Sequence, residues 1–97
     1  MDETTVREQA EIHAKATVSG DLRTAGASLT KEAVAQAPGV MKAMPATLES
    51  CEVTSVHTEG DEVVAQIRYA GGGEESVVES RWADRDGSPK IVDLKVL

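Results

Sequence analysis

There is no phenylalanine in these 97 residues, and Tyr69 and Trp82 are the only other aromatics. Large apolar area must therefore come from Leu, Val, Ile and Met. A chain of this length buries roughly two-thirds of the surface its unfolded form exposes. A core so poor in rings gains from burying more surface in a dimer. Cysteine is nearly absent too. Cys51 stands alone, which excludes an internal disulfide and suits a reducing compartment. No apolar run approaches the roughly 20 residues of a membrane helix. The start, MDETTVREQAE, is polar and acidic and carries no signal-peptide core. The expected location is the cytoplasm.

Basic residues are also scarce. The net charge is −7, most of it in the second half of the chain. Clustered Lys and Arg, which a phosphate backbone or an anionic membrane surface requires, are missing, so neither nucleic acid nor membrane is an expected partner. The acidity reads as a solubility device. Metal-ligand spacings are missing as well: there is no Cys-x-x-Cys, no His-x-x-x-His, and no short spacing between His13 and His57. No metal and no cofactor is expected. Gly71-Gly72-Gly73 lacks the Lys-Ser/Thr of a phosphate loop, and no serine sits in a Gly-x-Ser-x-Gly elbow.

What is present is an architecture. Thr5-Val6-Arg7-Glu8 fits a capping box that starts a helix. Val6, Ala10, Ala14 and Val18 recur every four residues, with Ile12 and Ala16 as a second edge, until Gly20 ends the helix. Asp21 caps a second short helix through Leu22, Ala25 and Leu29. Thr30 caps a third, Lys31 to Ala37, which Pro38-Gly39 ends; Val40 to Met44 can add one more turn. Met41 and Met44 read as core filler.

After Pro45 the period changes from four to two. Residues 47–58, 62–70, 74–84 and 90–97 read as strands, separated by turns at Glu59-Gly60-Asp61, at the three glycines and at Asp84-Arg85-Asp86-Gly87. Val63, Ala65, Ile67 and Tyr69 take one face of their strand and Trp82 the same face of the next. Val92, Leu94 and Val96 are expected to take it on the last. Short turns impose an antiparallel meander. Its apolar face needs a cover, and the helices supply it. The fold class is α+β: one domain over 1–97, helices over about 5–44, packed on a four-stranded sheet over about 47–97. Arg68, Glu79, Arg81, Asp93 and Lys95 fall on the other face, where cross-strand ion pairs are expected, Arg81 with Asp93 among them.

Some local strings, in this order, resemble a known superfamily. His13-Ala14-Lys15-Ala16-Thr17-Val18-Ser19-Gly20-Asp21-Leu22 is similar to the first helix and Gly-Asp turn of the nuclear transport factor 2-like proteins, which include SnoaL-like polyketide cyclases and ketosteroid isomerases. Gly60-Asp61-Glu62-Val63-Val64, Ser80-Arg81-Trp82-Ala83 and Asp86-Gly87 leading to Lys90-Ile91-Val92-Asp93-Leu94 resemble its closing strands. The resemblance implies a curved sheet wrapped on helices, the cystatin-like cone. It also implies a small, mostly apolar ligand and a homodimer formed through the sheet. Members are usually longer; this chain lacks an early strand before Leu48, which implies an open or shallow cone.

His13, near the apolar stripe of the first helix, is a candidate general base or ligand contact, against a half-buried structural histidine. Asp93 is the other catalytic candidate, against an outward ion pair. Tyr69 and Trp82 are core residues whose phenol and indole N–H can also serve a ligand. His57 reads as a surface residue. Cys51, flanked by Glu49 and Glu52, lacks the basic neighbour a nucleophile needs. Three functions compete: a binding module for a small apolar molecule or protein partner, an isomerase, dehydratase or cyclase acting on a small carbonyl compound, and a structural subunit without a pocket. A closed sheet–helix interface would leave only the last.

Overall fold

The computed structural model describes every residue, Met1–Leu97. Three helices precede four strands: α1 (Glu3–Ser19), α2 (Leu22–Ala27), α3 (Lys31–Ala43), β1 (Ser50–Glu59), β2 (Glu62–Gly71), β3 (Glu74–Arg85) and β4 (Ser88–Val96). The fold is α+β, with the helices packed on one face of a curved antiparallel sheet. No helix is long and apolar enough to cross a membrane.

The first helix begins two residues before the expected capping box. Asp2 is its cap: the carboxylate accepts from Thr5 N at 2.7 Å. An ionised carboxylate meets the free N–H groups and the helix dipole better than a threonine hydroxyl does. Gly20 ends α1 at φ +80°, its N–H bonded to the carbonyls of Ala16 and Thr17. Val6, Ala10, His13 and Ala14 are buried on one stripe. Ile12, expected at its edge, faces outward and is 50% exposed. Asp21 caps α2 and Thr30 caps α3 through their side-chain oxygens.

The expected stop at Pro38 does not occur: α3 runs on to Ala43 with Pro38 inside it. A proline forfeits one helical hydrogen bond and costs about 3 kcal/mol in a helix interior. Val40 and Met44, beyond it, pack against the core, and that burial offsets the loss. Met41 is not core filler; it is 55% exposed.

The strands pair in sequence order, β1-β2-β3-β4. Their turns match the sequence. Gly72 and Gly73 have φ of 59° and 81°, and Asp86 and Gly87 have 56° and 84°. Both pairs thus give two-residue turns whose twist suits a hairpin. Two bulges curve the sheet, one between Val53 and Ser55 on β1, the other opposite Arg81 and Trp82 on β4. The second alters the expected face. The extra residue, Val92, breaks the alternation, so Ile91 is fully buried, with Leu94 and Val96 packed beside it.

The core cluster joins Val6, Ala10 and Ala14 of α1 to Ile67, Tyr69, Val78, Trp82 and Ile91 of the sheet. A short parallel bridge at Leu29 ties the helical half to β4: Ile91 N donates to Ser28 O at 2.7 Å and Thr30 N to Ile91 O at 3.0 Å. On the outer face Arg68 lies between Glu52 and Glu75, at 3.1 and 3.2 Å. The expected pair of Arg81 with Asp93 is not made. The two are register partners, yet Arg81 turns the other way, to Glu59 and Glu62, both at 3.2 Å. Two carboxylates attract the guanidinium more strongly than one already bound elsewhere.

Candidate functional site

The helices do not close over the sheet. Between the C-terminal half of α1, α2, α3 and the inner face of β2–β4 lies a cleft of about 240 Å³, partly open to solvent. That is slightly below the range of drug-sized ligand pockets, roughly 300 Å³ and upward, and suits a small molecule. Ala25, Gly26, Leu29, Ala37 and Val40 line its helical walls; Tyr69, Val78 and Leu94 form its floor. Leu22, Val34 and Met41 stand at its rim with more than half their surface exposed, 67%, 52% and 55%. The small residues of α2 and α3 create the space. They let the helices approach without filling the room above Tyr69 and Val78.

Three polar side chains enter this apolar lining: His13, Thr17 and Tyr69. None of the lining residues carries a fixed charge. His13 and Thr17 sit one helical turn apart on α1, and Tyr69 faces them from β2. The His13 ring is fixed on two sides. Its Nδ1 lies 3.0 Å from the carbonyl of Ala25, and its ring meets Trp82 edge-on at 6.4 Å. A carbonyl only accepts, so Nδ1 carries the proton and Nε2 of the neutral ring is left as an acceptor. Nε2 has no protein partner and is not sealed from solvent, and His13 lines the cleft. Burial holds the imidazole pKa below its ordinary value, opposed in part by the bond to Ala25. Near neutral pH the ring is uncharged.

Tyr69 is 2% exposed, and its phenol neighbours the Thr17 hydroxyl. Burial pushes its pKa up to about 12, with the Thr17 hydroxyl working the other way. The phenol is therefore a proton donor at any physiological pH. The Thr17 hydroxyl donates to the carbonyl of His13 at 2.9 Å.

The structure thus brings His13 and Tyr69 together and leaves the other two candidates apart. Trp82 is fully buried behind His13 and does not line the cleft; its Nε1 donates to Ser80 Oγ at 2.9 Å, which in turn donates to Ala65 O at 2.8 Å. Asp93 lies on the exposed side of β4, where its Oδ1 accepts from Gln36 Nε2 at 2.7 Å. Gln36 also accepts from Leu94 N, so it clasps the sheet edge, and Asp93 stays outside the cleft. His57 is exposed, 3.0 Å from Glu59. Cys51 is half-buried, and burial raises its thiol pKa. Sequence reasoning missed the cleft walls on α2 and α3. Their signal is the run of Ala and Gly among larger apolar residues between Leu22 and Met44, which marks a surface too small to fill its own space.

Three helices on a curved four-stranded antiparallel sheet, with a cleft between the two layers, define a cone-shaped α+β protein. The chain has the NTF2-like fold. It is similar to a crystal structure of an NTF-2 like protein of unknown function from Burkholderia xenovorans LB400, with a TM-score of 0.66 and 18% identity over 98% of this chain and 83% of that one. No protein-family model matches the chain, and no curated protein matches it. At that identity the similarity speaks for the fold, and the chemistry rests on the residues of the cleft.

Proposed function

We propose that this protein is a binding module for a small, mostly apolar molecule, held in the cleft between α1, α2, α3 and the sheet. The observation that carries this reading is the cleft itself: an open apolar space of about 240 Å³ whose few polar lining side chains include His13 and Tyr69. Apolar walls supply affinity, and a few convergent polar groups supply orientation. A structural subunit would fill this space with side chains. The enzyme reading, an isomerase, dehydratase or cyclase acting on a carbonyl compound, draws on the neutral His13 as a base. It is the weaker one, because no carboxylate or second base lines the cleft to pair with the imidazole.

The module is proposed to act as a homodimer, a way for a small core to bury more surface. Sedimentation tests that part: a single species at 10.2 kDa removes it.

The binding reading is tested with indane, a rigid apolar probe, followed by amide chemical shifts of the 15N-labelled full chain. Shifts confined to Thr17, Ala25, Tyr69, Val78 and their neighbours, and lost in Ala37→Phe, are expected. Ala37→Phe places a ring in the cleft from its helical wall while leaving the sheet untouched. Absence of shifts, or shifts on the outer face of the sheet, would remove the reading.

A further inference from the structure

We propose that the cleft selects a neutral apolar molecule bearing a hydroxyl group, in preference to the matching ketone, carboxylate or hydrocarbon. This rests on the binding reading above and names the ligand class of the same site.

The positions of the protons set this preference. Nδ1–H of His13 is committed to the Ala25 carbonyl, so Nε2 can only accept. The Thr17 hydroxyl proton is committed to the His13 carbonyl, so its remaining capacity is also to accept. The Tyr69 phenol, whose polar neighbour is the Thr17 hydroxyl, is the remaining side-chain proton donor of the cleft. Two of the three polar groups thus ask the ligand for a donor. A hydroxyl meets that demand at His13 Nε2 and can still accept from Tyr69. A ketone can take only the Tyr69 proton. It displaces water from Nε2 and leaves that atom unpaired beside apolar walls, which is the costly half of a lost hydrogen bond. A hydrocarbon leaves both polar atoms dry.

Charge is excluded from both directions. No Lys or Arg lines the cleft to receive a carboxylate, and no Asp or Glu lines it to receive an ammonium group. A carboxylate would place its charge against acceptors in an apolar lining and lose hydration without compensation.

The test is a matched series on the full chain at about pH 8, where the imidazole is neutral: 1-indanol, 1-indanone, indane and indane-1-carboxylate, with dissociation constants from amide shifts. The alcohol is expected to bind about five- to tenfold more tightly than the ketone or the hydrocarbon, the yield of one neutral hydrogen bond. The carboxylate is expected to be weakest. His13→Phe should abolish the advantage of the alcohol while indane still binds. The unmodified chain decides the matter even if that variant fails to fold. Equal affinities, or a tighter ketone, would overturn the hydroxyl preference and leave the binding module standing. If no member of the series binds up to millimolar concentration, the binding reading falls, and this inference with it.

Discussion

Gly71→Ala is expected to be among the most damaging single-methyl additions to this chain. At the end of β2, a Cβ on residue 71 would lie 1.8 Å from the carbonyl oxygen of Thr47, 2.7 Å from its carbonyl carbon and 3.0 Å from Glu49 N. The φ of Gly71 is not positive, so space alone decides the effect. To restore an ordinary contact the Thr47 carbonyl must retreat by roughly 1.5 Å. That segment is held by Glu49 N donating to Ala70 O and Gly72 N donating to Glu49 Oε1, both at 2.8 Å. Losing two such bonds costs about 2 kcal/mol, and the strain of overpacking adds about 1–3 kcal/mol. The sum, about 3–5 kcal/mol, is a large part of the about 5–15 kcal/mol that holds a small protein folded. At about 4–8 °C per kcal/mol the melting temperature should fall by at least about 12 °C. The consequence reaches the cleft, because residues 44–49 connect α3, its outer wall, to β1. Gly39→Ala is the control. Gly39 lies inside α3 with nothing within 4 Å of an added Cβ, so that variant should gain about 0.5–1 kcal/mol. Both are read by circular dichroism melts and urea titration. A Gly71→Ala melting temperature within about 3 °C of the parent would refute the reasoning.

His13 has a folded-state pKa below its ordinary value of 6.5, so between the two the unfolded chain binds more protons. Stability is then complete above about pH 6.5 and declines as the pH falls toward the folded pKa, by at most about 1.4 kcal/mol per unit, and levels off below it. Urea midpoints between pH 8 and pH 5 should show this slope in the parent and not in His13→Phe; equal slopes would assign the effect elsewhere. Cys51, half-buried with its thiol pKa raised by burial, should react with a disulfide reagent at pH 8 several-fold more slowly than a free thiol, and at the free rate in denaturant. A fast reaction in the folded protein would mean that the β1 edge opens readily.

Much of this fold was written locally. The caps at Asp21 and Thr30, the stop at Gly20, the two-residue turns and the inward alternation of Val63, Ala65, Ile67 and Tyr69 each depend on a few adjacent residues. A side-chain oxygen finds an N–H three residues on, a glycine takes a positive φ, and a period of two sorts one face from the other. The order of these elements was enough to make the helices the cover of an antiparallel sheet. The positions of Tyr69 and Trp82 on its inner face followed from the same alternation.

What the tertiary structure decided lies wherever a local rule met a distant contact. Pro38 has the local chemistry of a stop, and packing of Val40 and Met44 on the core carries α3 through it. The bulge at Val92 is invisible to a count of alternating residues, yet it turns Ile91 inward. Asp93 and Arg81 are register partners in sequence logic, but Gln36, fifty-seven residues away from Asp93 along the chain, takes the carboxylate. The cleft is the clearest case. Its volume is a small difference between the span of the sheet and the reach of Ala and Gly side chains on three helices, and such a difference exists only once all of them are in place. The sequence by itself determined which residues can line a cone; the packing decided that His13 and Tyr69 face an open space while Trp82 and Asp93 do not.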